Sequence, residues 1–115
     1  MRDHRDDAAV LWDMLDAAQA VGDFIVSKGL EDYLRDRMLR GAVERHLEII
    51  GEAARKVSES FKIEHPEIPW RRIIGLRNVL AHEYGEIKNE KMWDLAKNKL
   101  PDLVLALRPL IPAID

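Results

Sequence analysis

Apolar residues recur at intervals of three and four through nearly the whole chain, a period that suits helices and leaves no room for a strand of any length. In a first segment, roughly Asp3 to Ser27, the recurring positions are Val10, Leu11, Met14, Leu15, Ala17, Ala18, Val21, Phe24 and Ile25. Asp13, Asp16 and Asp23 face the other way. Gly29 is the expected break. A second segment, about Leu30 to Phe61, is long for one globular helix, which predicts a bend. Its stripe is Leu39, Ala42, Val43, His46, Ile49, Ile50, Ala53, Ala54 and Val57, and Glu44, Glu48, Glu52, Arg55 and Glu59 form its wet face. Gly51 lies inside it, where glycine costs about 1 kcal/mol against alanine. Close packing of another helix on Gly51, Ala53 and Ala54 is the reading that makes this tolerable.

Pro66 and Pro69 exclude helix continuation through residues 64–69. Pro69 is well placed to open a third helix that runs to about Tyr84 and stops at Gly85. A fourth spans about Lys88 to Leu107 on the stripe Met92, Trp93, Ala96, Leu100, Leu103, Val104 and Leu107. Pro101 should kink it, because the ring removes the bond to the Lys97 carbonyl. The predicted fold is all-α: an antiparallel up-and-down bundle of four to five helices. Its 115 residues suit one domain over 1–115.

Composition narrows the function classes. No cysteine is present, so neither a disulfide framework nor a thiolate metal site is available. The charged segment Met1-Arg2-Asp3-His4-Arg5-Asp6-Asp7 lacks the apolar core of a signal peptide, and no run reaches the roughly 18 apolar residues of a membrane span. A cytoplasmic protein with no membrane partner is expected. A net charge of −3 argues against a general nucleic-acid coat but permits a local basic patch, for which Arg71, Arg72 and Arg77 with His82 are the candidates.

The third helix carries the chemistry. Trp70, Ile73, Ile74, Leu76, Val79, Leu80 and Ala81 leave a narrow polar strip of Arg71, Gly75, Asn78 and His82. Such a helix is buried centrally or against a second subunit. Arg77 falls instead among Ile73, Ile74, Ala81 and Tyr84, where a charge must be paired, must snorkel, or must point into a cleft. In an ideal helix Arg77 and His82 diverge by about 140°, so they meet only if the helix loosens or if two copies pool residues. Arginine and histidine together suit phosphodiester chemistry: one stabilises phosphorane charge and the other moves protons near neutral pH. The residues alone also fit an arginine paired with Glu83 or Glu86 and a histidine at a helix C-terminus.

Arg77-x4-His82-x-Tyr84, with Asn78 directly after the arginine, resembles the signature of the HEPN superfamily, and more narrowly that of the HepT-like toxins. Ile49-Ile50-Gly51-Glu52-Ala53-Ala54, Pro66-Glu67-Ile68-Pro69-Trp70 and Val79-Leu80-Ala81-His82-Glu83-Tyr84 fit the same family in order and spacing over nearly the whole chain. The resemblance implies a HEPN-like bundle that forms a homodimer with a cleft at its interface. It implies the toxin of a type II/VII-like toxin–antitoxin pair, a metal-independent endoribonuclease acting on RNA through Arg77 and His82 with Asn78 beside them. It implies a MntA-like nucleotidyltransferase antitoxin, which in some pairs adenylylates the tyrosine matching Tyr84. The alternative is a non-catalytic helical dimer that binds and modulates a nucleotidyltransferase. No cofactor or metal is implied. His4 and His65 read as surface residues, His46 as a packing histidine, Trp70 as a packing anchor, and Glu52 as the partner of Lys56 on one helix face.

Overall fold

A computed structural model describes residues 4–82 and 88–111, and side-chain surroundings for 7–81 and 88–111. The described residues are helical throughout, with no strand. Helix α1 spans His4–Ile25, α2 Leu30–Arg35, α3 Arg37–Lys56, α4 Glu59–Glu64 and α5 Trp70–His82. The last long element is composite: α6 Asn89–Asp94, a π-turn Leu95–Lys99, α7 Leu100–Leu107, and a 3₁₀ turn Arg108–Leu110. No described helix is long and apolar enough to cross a membrane.

The first break falls earlier than expected. Ser27, not Gly29, takes the left-handed conformation that ends α1 (φ 63°). Gly29 is extended and opens α2, its N–H donating to Asp32 Oδ2 at 2.8 Å. The second segment does not merely bend but breaks twice. Asp36 caps α3 by accepting the Leu39 N–H at 3.0 Å, and Ser58 caps α4 by accepting the Phe61 N–H at 3.3 Å. Short polar side chains at both points compete with the helix for backbone donors, which is why the breaks fall there. Just before Pro101 the helix widens into a π-turn: the Leu100 N–H donates to the Leu95 carbonyl five residues back. The proline then stands in the first turn of α7, where no N–H is needed.

Helices α1 and α3 are antiparallel. At one end the nearly buried Asp7 carboxylate accepts the Ser58 N–H at 2.9 Å and the Ser58 hydroxyl at 2.6 Å. Toward the other, Phe24 meets His46 edge to face with centroids 4.9 Å apart. Leu11, Met14, Val21, Val43, Ile50 and Leu107 are fully buried between α1, α3 and α7. Each contributes about 1.5–3 kcal/mol on leaving water. Trp70 anchors the start of α5, its indole N–H donating to the His65 carbonyl at 2.9 Å.

Tyr33 locks α2 onto α6 by packing on Trp93 at 5.6 Å. Its buried hydroxyl finds no hydrogen-bond partner among the described residues. Burial, and after it the charge of Glu44, push the phenol up to about 12 from 10.0, with Arg40 opposing. The Glu44 carboxyl is itself raised by burial, again opposed by Arg40.

Gly51 faces α5 at very close range. A Cβ built there would lie 2.2 Å from the Arg77 Cβ and 3.0 Å from the Ile73 carbonyl oxygen. The obstructing atoms are backbone or backbone-proximal, so they cannot swing aside. The small-residue packing read from the sequence is therefore present, and its partner helix is α5.

Two outcomes follow for stability. Gly51→Ala should destabilise, since overpacking costs about 1–3 kcal/mol and outweighs the roughly 1 kcal/mol gain in helix propensity. Gly41→Ala, at an exposed α3 position with open space around it, should stabilise. Thermal unfolding of the two variants should move in opposite directions. Separately, because the folded Tyr33 phenol titrates above the unfolded one, stability holds below about pH 10 and falls as pH rises toward 12. Tyr33→Phe should flatten that alkaline loss, as read by denaturant midpoints across the range.

Candidate nucleic-acid site

The close approach at Gly51 sets the position of Arg77. The Arg77 side chain leaves α5 against α3 and meets the next residue, Glu52, with Nε 2.9 Å from Oε2. Both atoms are sealed from solvent, although the side chains as wholes are 20% and 34% exposed. The Nε–H is not aimed well enough at the oxygen to form a hydrogen bond, so charge attraction at contact distance holds the pair. The other Glu52 oxygen lies 3.6 Å from Arg55. The expected Glu52–Lys56 pair is thus replaced by Glu52 between Arg55 and Arg77. Spacing along one helix could not reveal a partner on another, though a glutamate directly after the close-contact glycine was the available signal. The alternative partners Glu83 and Glu86 lie outside the described residues.

Asn78 joins the group from the side. Its Oδ1 accepts from Arg77 Nη1 at 3.1 Å, bringing two consecutive side chains together although their Cα positions differ by about 100° round the helix. Arg77 opens into a cleft of about 370 Å³ between α1 and α3. Asp13, Asp16, Glu48 and Glu52 line it with Arg45, Lys56 and Arg77, so its charge is mixed rather than basic. His46 lines the same cleft. Its Nδ1 sits 2.8 Å from the Ala42 carbonyl, which can only accept, so Nδ1 carries the proton. The packing role read for His46 stands, and the ring is half-buried rather than sealed in the core.

The arginines do not gather into one patch. Arg71 and Arg72 are exposed, and Arg72 borders a separate apolar groove between α5 and α7, lined by Ile73, Leu76, Leu100 and Leu103. His82 is the last residue of α5, and its side chain lies outside the described residues, as does Tyr84 altogether. Among the described side chains of α5, Trp70 and Leu80 alone are buried. Ile73, Ile74, Leu76 and Val79 are only partly buried, so one chain alone does not fully enclose this helix. Among the described residues no group of three or more His, Asp or Glu side chains is arranged to hold a metal ion.

Comparison with known proteins gives the family. The model of the family described as "Ribonuclease HepT-like" matches residues 14–110. "Putative RNase MJ1380" of Methanocaldococcus jannaschii is 37% identical over 86% of this chain and 91% of its own length. "Putative RNase MJ0127" of the same organism is 33% identical over 96% and 92%. "Probable ribonuclease HepT" of Thermococcus cleftensis is 37% identical over 89% and 90%. No solved structure gives a significant match. A helical bundle that presents an arginine and an asparagine from a helix ending in histidine, matched by this family over most of its length, belongs to the ribonuclease HepT-like family of the HEPN superfamily.

Proposed function

We propose that this chain is the toxin of a toxin–antitoxin pair, a metal-independent endoribonuclease that uses Arg77, His82 and Asn78 within one domain over residues 1–115. The observation that carries the reading is Arg77 itself: a guanidinium pinned on one edge and turned into a cleft, on the helix that ends at His82. Arg77 contacts the scissile phosphate and stabilises charge as the phosphorane forms. His82 takes the proton of the ribose 2′-hydroxyl as its oxygen attacks phosphorus, or gives a proton to the leaving 5′-oxygen as the P–O5′ bond breaks. The products are a 2′,3′-cyclic phosphate end and a 5′-hydroxyl end. No step calls for a metal, since imidazole moves the protons and guanidinium meets the charge.

The two proton roles lie on opposite sides of the phosphorus, and Arg77 and His82 diverge by about 140° on an ideal helix. A homodimer that pairs α5 with its copy would supply the second His82 and cover what remains exposed of Ile73, Ile74, Leu76 and Val79. The partner is a nucleotidyltransferase antitoxin of the MntA type acting in the cytoplasm. An adenylyl group on Tyr84 would add bulk and negative charge beside the cleft and repel RNA.

A second reading has its own support. The mixed charge of the cleft suits a protein surface as well as RNA, and favours a non-catalytic dimer that binds and modulates a nucleotidyltransferase.

Cleavage of a mixed RNA pool by the unmodified protein in excess chelator separates the two. The expected result is cleavage that survives the chelator, leaves cyclic-phosphate and 5′-hydroxyl ends, and falls by about 10²–10⁴-fold in His82→Ala. No cleavage by the folded protein would move the assignment to the binding module, and equal cleavage by the variant would overturn the role given to His82. Incubation with the partner nucleotidyltransferase and ATP should add one adenylyl mass to the wild type and none to Tyr84→Phe.

A further inference from the structure

We infer that Glu52 is a positioning residue for Arg77: it holds the Nε edge of the guanidinium so that the opposite Nη edge is the face presented to a phosphate. The inference rests on the ribonuclease reading above and adds to it a residue from a different helix. An arginine fork can grip a phosphate along its Nε side or across its two terminal nitrogens. Here the Nε side is closed, because Nε and Glu52 Oε2 are in contact and neither reaches solvent. A phosphate is left the terminal edge, where Nη1 already donates to Asn78 Oδ1.

The guanidinium is therefore held at two points before any ligand arrives. Glu52 is itself restrained, standing one residue after the Gly51 contact that fixes α3 against α5 and 3.6 Å from Arg55. A long, rotamer-rich side chain that is ordered in advance loses less freedom when the reacting phosphate binds. The carboxylate also subtracts charge from a site meant for an anion. Its presence weakens attraction for RNA in the ground state while improving the aim of Arg77 at the transition state. That opposition gives a signature which a merely structural glutamate would not produce.

The test uses full-length Glu52→Gln, with Arg77→Ala as a reference and two readouts. The first is steady-state RNA cleavage. The expected result is kcat about tenfold or more lower, with KM unchanged or lower and the thermal midpoint within a few degrees of wild type. The second is hydrogen exchange of the Arg77 Nε–H by nitrogen-15 NMR, which does not depend on activity. Exchange should be slow in the wild type and about tenfold or more faster in Glu52→Gln as the sealed edge opens. Unchanged exchange overturns the inference whatever the activity does. Unchanged or increased kcat with a folded variant also overturns it, an increase marking Glu52 as an inhibitory contact. If the wild type does not cleave, or Arg77→Ala cleaves as well as the wild type, the ribonuclease reading fails and the phosphate-presenting role falls with it. The exchange measurement then still reports separately whether Glu52 holds Arg77.

Discussion

The absence of a side chain at Gly51 governs the geometry of the site. With a Cβ position only 2.2 Å from that of Arg77, helices α3 and α5 approach as closely as backbones allow. Three consequences follow from that contact. Arg77 starts out against α3 rather than toward solvent. The next α3 residue, Glu52, comes within reach of its guanidinium. The charged end of the side chain then emerges at the α1–α3 cleft rather than being lost among the apolar residues that flank it on α5. An arginine on a largely apolar face is normally a liability, because burying an unpaired cation costs several kcal/mol. Here the cation has a carboxylate at contact distance and an amide oxygen on its far side.

The surroundings keep this arrangement rigid without making it basic. Asp7 clamps the start of α1 to the junction of α3 and α4, and Phe24 packs on His46 near the other end, so the two walls of the cleft cannot slide past each other. The walls carry four carboxylates against three cationic side chains. A surface of that kind does not concentrate RNA by long-range attraction, since counterion release needs clustered positive charge. Specific recognition must then come from local contacts, among which a pre-aimed guanidinium is worth more than a diffuse field. A homodimer that brings two such helices together, as proposed, would double the arginine count at the junction without altering the acidic balance of the chain as a whole.

Much of this was legible in the sequence, for a physical reason. The three-and-four spacing of Val10 through Leu107 reports burial of one helix face directly, and Gly51 in mid-helix announced a close approach by its cost alone. Other features depended on competition between local and tertiary terms. Asp36 and Ser58 flank the apolar stripe of a segment that reads as one long helix, and their capping bonds are what divide it. Pro101 marks a disruption in the sequence, but the π-turn that precedes it, between the buried Ala96 and Leu100, has no signature in the apolar spacing. Glu52 pairs with Arg77 and Arg55 and not with the expected Lys56, because intrahelical spacing is the only pairing that a sequence displays. The Arg77–His82 relation stays where the sequence left it: the helix reaches His82, but that side chain and Tyr84 fall outside the described residues.

The central claim is that a guanidinium fork, and not merely a positive charge, is held at the cleft to act on a phosphate. The most direct measurement is the single-turnover rate of RNA cleavage by Arg77→Lys beside the wild type, with both proteins shown to be folded. Lysine preserves the charge and most of the reach but cannot present two parallel N–H donors. The account predicts a loss on the order of 10²-fold or more in that rate, the scale of removing a preorganised donor from a transition state. A rate within about twofold of wild type would contradict it, because the charge alone would then suffice and the positioning of the fork would have no bearing on catalysis.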